Sequence, residues 1–142
     1  MHDPHTRAAT AYMHQGAAVV DQRQLEANVL LKAANLLDAA CREPQPHRPL
    51  EAALLHNRKL WTVFAAEAAD GAGRLPNDLR NNIGSIAIFV FRRTLELMGR
   101  PEPAKVDALI EINRTIAAGL MSRAGAAVSA PGAAAGAAGQ AV

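Results

Sequence analysis

Apolar residues recur every three or four positions along most of this chain, the period expected of helices that pack by one face. The first run is Leu25, Val29, Ala33, Leu36, Leu37 and Ala40, and it predicts a helix from about Asp21 to Cys41. An extension back to Thr10 has to cross Gly16, which weakens a helix. Pro44, Pro46 and Pro49 then break the pattern into a linker, because proline lacks a backbone N–H and clashes with the preceding turn. A second helix opens near Pro49, with Glu51 favouring its positive end. Its stripe is Leu50, Ala53, Leu54, Asn57, Trp61, Phe64 and Ala68, and the run Asp70–Gly73 ends it. A third opens at Leu75-Pro76-Asn77-Asp78 and reaches Met98, with Leu79, Ile83, Ile86, Ala87, Val90, Phe91, Thr94, Leu97 and Met98 inward. Gly99, Pro101 and Pro103 stop it. A fourth spans about Glu102 to Leu120 on Val106, Leu109, Ile110, Asn113, Ile116, Ala117 and Leu120. No segment alternates as a strand does. The pattern predicts an all-α fold, a small bundle of about four helices, with the last three antiparallel because short loops join them.

The two ends read differently. Residues 1–9 are expected to be flexible, residues 10–121 to form the helical domain, and residues 122–142, mostly Ala and Gly, to be a disordered tail. The chain has 142 residues, which suits one domain, and it is 50% hydrophobic but only 4% aromatic. Alanine supplies much of that apolar content and favours helix. Fifteen Lys and Arg face thirteen Asp and Glu with no block of like charge, which argues against direct nucleic-acid binding. Cys41 is alone and cannot form an internal disulfide. With His2, Asp3, His5, Arg7 and His14 among residues 1–20, no secretory signal is expected there. The most apolar stretch, Ile83–Phe91, has nine residues, whereas about 20 span a bilayer. The expected location is the cytoplasm, without membrane insertion.

Candidate chemistry is sparse. His2, His5, His14, His47 and His56 have no partner at metal-ligand spacing, so no metal site is expected. No nucleophile elbow, phosphate loop or dinucleotide fingerprint occurs, so neither catalysis nor a cofactor is expected. Gly84 beside Ser85 in the third helix suggests a close approach of another helix. The unusual feature is polar. Asn57 and Asn113 each interrupt an apolar stripe, and each is followed by an arginine, Arg58 and Arg114. A buried amide needs a partner. Either the two amides pair inside the fold and set helix register, or Asn57, Arg58, Trp61, Asn113 and Arg114 line a groove for a helical protein partner. A lone Trp on a stripe packs inward more often than it contacts a partner, so the arginines are the cleaner candidates.

These residues carry a resemblance. Ala53-Leu54-Leu55-His56-Asn57-Arg58-Lys59-Leu60-Trp61, Leu75-Pro76-Asn77-Asp78-Leu79-Arg80, Ser85-Ile86-Ala87-Ile88-Phe89-Val90 and Leu109-Ile110-Glu111-Ile112-Asn113-Arg114, in this order and spacing, resemble the FlaF family of flagellar biosynthesis regulators. Tyr12 and the helix around Leu25-Glu26-Ala27 resemble the family's amino-terminal part, and the likeness covers nearly all of residues 11–121. The proline-rich linker and the Ala/Gly tail depart from it. The resemblance implies a part in flagellin production and secretion, alongside the partner regulator FlbT. The expected mechanism is binding of flagellin in the cytoplasm as a secretion chaperone. The alternatives are a regulator acting on flagellin mRNA, directly or through an FlbT-like partner, and a subunit of the export apparatus. If the arginines are not the contact, the first helix with Leu30 and Leu31 is the next candidate.

Overall fold

The computed structural model describes residues 4–70 and 76–128, with side chains placed for Ala18, 20–70 and 76–122. Four helices follow in order: α1 (Pro4–Cys41), α2 (His47–Ala69), α3 (Asn77–Gly99) and α4 (Pro103–Val128). Among the described residues there is no strand, and the all-α expectation holds. Two bounds differ from the expectation. Helix α1 begins at Pro4, because the alanine-rich sequence before Asp21 carries the helix through Gly16. Helix α4 continues to Val128, past the expected end at Leu120, where alanine again favours helix over coil. Of the segments expected to be unstructured, residues 1–3 and 129–142 lie outside the described residues.

The chain divides into two units, one of residues 29–115 and one of residues 1–28 with 116–142. In the first, every residue expected on the α2 stripe is buried. On α3, Leu79, Ile83, Ala87, Val90, Thr94 and Leu97 are buried, while Ile86, Phe91 and Met98 are only half-buried at its margin. Val106, Leu109, Ile110 and Asn113 of α4 are buried as expected. Helices α2 and α3 pack against each other. They run antiparallel: Arg80 Nε at the start of α3 donates to the Ala68 carbonyl near the end of α2, 3.1 Å away. At the other end Leu50 and Leu54 share a small pocket with Leu97, Met98 and Pro101. The turn out of α3 follows from Pro101. A residue before proline is pushed out of helical geometry, and Arg100 has φ −140° and ψ 96° while its N–H still bonds Glu96.

Helix α1 buries Ala33, Leu37 and Ala40 of the expected stripe, but the rest of its buried face is shifted. Ala27, Leu30, Ala33, Ala34, Leu37 and Ala40 are buried, whereas Leu25 is 58% and Leu36 40% exposed. In a helix this rich in alanine, two overlapping stripes share the same period, and periodicity alone does not choose between them. In the second unit Ala27, Ile116, Ala117 and Leu120 are buried, together with the charged Arg23. Arg23 keeps its charge company with Glu26, 3.1 Å away on the same helix.

Candidate partner-binding site

Within residues 29–115 the two asparagines on the apolar stripes meet. Asn57, Trp61 and Asn113 are each 0% exposed. Trp61 Nε1 donates to Asn113 Oδ1 at 2.8 Å. Asn113 Nδ2 in turn donates to Asn57 Oδ1 at 2.7 Å and to the Leu30 carbonyl at 3.3 Å. One amide therefore ties α4 to α1 and α2. Its directionality admits few alternative alignments of those helices, as buried amides do in other helical assemblies. Trp61 is held from a second side by Phe64, edge-on at 5.5 Å and 80°. The arrangement leaves one loose end: among the described residues nothing accepts a hydrogen bond from Asn57 Nδ2.

The expected five-residue constellation thus separates into two sets. Asn57, Trp61 and Asn113 form an interior cluster that presents no surface to a partner in this conformation. Arg58 and Arg114 are exposed, but they are not together. Arg114 lies 3.8 Å from Asp38 of α1, which Arg42 also bridges at 3.0 Å. Arg58 sits on the opposite flank of α2, toward α3, and its guanidinium has no ion-pair partner among the described residues. Its backbone carbonyl accepts from Thr62 Oγ1.

Other surface features were not signalled by the stripes. Leu55 (38%), Val63 (54%), Ile88 (56%), Phe89 (38%) and Leu95 (73%) are exposed in spite of their size. Arg93 stacks over the Phe89 ring at 4.9 Å and donates to the Lys105 carbonyl, so that aromatic is partly covered. Gly84 does not support close packing among the described residues: a Cβ there meets nothing of them within 4 Å. A shallow apolar depression of about 390 Å³ lies between the end of α1 and the start of α2, among Leu36, Ala40, Ala52 and His56. The Cys41 thiol is pushed up from its ordinary value by partial burial first, and then by the carboxylates of Asp107 and Asp38. No three His, Cys, Asp or Glu among the described residues are placed to hold a metal ion. No helix there is long and apolar enough to cross a membrane.

A helical scaffold with a cross-tied interior and apolar side chains left on its surface defines a class: an all-α helical-bundle protein. The family profile described as flagellar protein FlaF matches residues 8–120, and the chain belongs to that family. No curated protein matches the chain, and no solved structure does.

Proposed function

We propose that this protein binds unassembled flagellin in the cytoplasm and promotes its production and secretion, as a flagellin chaperone without catalytic activity. The observation that carries the reading is membership of the flagellar protein FlaF family over residues 8–120. The physical support is a surface that suits a helical guest. Leu55, Val63, Ile88 and Leu95 stand exposed on two adjacent helices, and an amphipathic helix binds by laying its apolar face against such side chains. Arg58 is the exposed cation we assign to the contact. Arg114, held near Asp38 of α1, lies on the other flank and outside this contact.

Titration calorimetry of the purified protein with flagellin monomer tests the proposal. Binding at tens of micromolar or tighter is the expected result. Absence of binding over that range, with flagellin mRNA retained in a salt-sensitive manner, moves the function to regulation of the message, because phosphate contacts weaken steeply with salt.

A further inference from the structure

Helix α3 carries two apolar faces where a surface helix needs one. The first, through Leu79, Ile83, Val90 and Leu97, is buried. The second, about 100° round the helix, runs through Gly84, Ile88, Phe91, Leu95 and Met98. Ile88 is 56% and Leu95 73% exposed. Spacings of four, three, four and three residues are those of a helix–helix seam. Gly84 belongs to that seam. Glycine weakens a helix interior, and here it relieves no crowding among the described residues, since the space above it is open for 4 Å. It leaves room for something outside the chain to approach the α3 backbone.

The seam borders α2. Met98 shares a pocket with Leu50, Glu51 and Leu54, and Arg80, on the same side of α3 as Met98, reaches the Ala68 carbonyl. These contacts set the antiparallel register. It places Leu55 level with Leu95, Arg58 level with Arg92, Thr62 level with Ile88, and Ala65 level with Gly84. The outer groove between α2 and α3 therefore has apolar walls at both ends and Arg58 beside its middle, with Arg92 near the same level on the side of α3 that faces away from the core. Arg58 and Arg92 are both exposed, and neither has an ion-pair partner among the described residues. Two unneutralised guanidinium groups at one level are complementary to a carboxylate, which they bind with fixed, bidentate geometry.

We infer that the α2–α3 groove is the seat of one amphipathic helix of flagellin, bearing an acidic residue with apolar residues about one turn to either side. The inference rests on the flagellin-binding reading. The carboxylate sits between Arg58 and Arg92. One flanking apolar residue lies on Leu55 and Leu95, and the other on Ile88 over the opening at Gly84. A second copy of the chain is the weaker occupant, because an isologous contact would set the two arginines of one strip against the same two of the other.

The test is fluorescence anisotropy with overlapping synthetic peptides that tile flagellin, alongside whole flagellin monomer, on the full chain and its variants. The wild type is expected to select a peptide with the apolar–acidic–apolar spacing, and to hold it less tightly as salt rises. Arg58→Glu, Arg92→Glu and Gly84→Leu should each weaken binding at least tenfold with circular dichroism unchanged. A peptide with its acidic residue replaced by Lys should regain affinity for R92E. Wild-type binding of flagellin that all three variants match overturns the groove and leaves the chaperone reading standing. Selection of a peptide without a carboxylate at that spacing overturns it as well. No flagellin binding by the wild type removes both readings together. A dimer in sedimentation equilibrium that G84L dissociates, with flagellin binding unaltered, assigns the groove to a second copy and overturns the inference.

Discussion

Two regions of this molecule invert the usual distribution of side chains. Where α1, α2 and α4 meet, amides occupy positions that leucine fills in most helical cores: Asn57 and Asn113 are fully buried beside Trp61. Along the outer side of α3, isoleucine and leucine stand where polar residues normally face water, with Leu95 73% exposed. The interior departs from pattern with its hydrogen bonds nearly complete. The surface departs from pattern with nothing from the described residues above Gly84. The first is a device of folding, satisfied among the described residues but for Asn57 Nδ2. The second is the surface that we propose a guest completes. A local rule broken and compensated points inward to structure, and one broken without compensation points outward to function.

The sharpest way to break this contrast is inside. Asn113→Leu removes the acceptor of Trp61 and strands Asn57, so we expect a loss of about 3 kcal/mol, from two buried groups left unpaired. Asn57→Leu is milder, about 1 kcal/mol, because it also removes the unpartnered Nδ2. Urea denaturation of both variants measures the asymmetry. Equal losses would show that Asn113 is not the centre of the cluster. The double variant should lose less than the sum of the two, by about 1 kcal/mol, as expected for side chains in contact.

On the surface the expected effects shrink and one changes sign. Gly84→Ala should stabilise the protein by about 1 kcal/mol, since alanine is the better helix former and its Cβ has open space. A loss of stability on thermal melting would mean that the backbone there is closely covered. Leu95→Ser should shift stability by no more than about 0.5 kcal/mol, as for other exposed sites, while weakening association with flagellin. The smallest effect concerns Cys41. Its thiol is raised in the folded state above the ordinary 9.0. Below that value folded and unfolded chains both hold the proton. Above it the unfolded chain releases the proton first, so stability falls as pH rises past 9.0. Alkylation by iodoacetamide near neutral pH should be slower than for a free thiol, and Asp107→Asn should speed it.

Much of the fold was legible from periodicity. The stripes of α2 and α4 match the buried residues, Asn57 and Asn113 included, because on each the residues that recur at the helical period form one continuous face. Helix α1 was not legible in the same way. Its alanines make two stripes equivalent, and burial chose Leu30 over Leu25. The pairing of the two amides was readable as one of two alternatives, from the cost of burying either one alone. What no period showed was the outer seam of α3. Its apolar residues adjoin the core stripe and merge with it, so Phe91 and Met98 read as interior. Only the exposure of Ile88 and Leu95 and the empty space at Gly84 separate the two faces. Arg23 carried no signal either, being a charge that burial alone identifies.

Trp61 is the chain's only tryptophan, and its indole N–H points into the Asn113 amide. The protein consequently contains a built-in optical gauge at the crossing of three helices. Its emission reports how dry that crossing is, and a red shift marks water reaching the indole. A guest seated on the outer side of α2 and α3 leaves the indole untouched. Binding and loss of structure can then be followed separately in one cuvette, without attaching a dye.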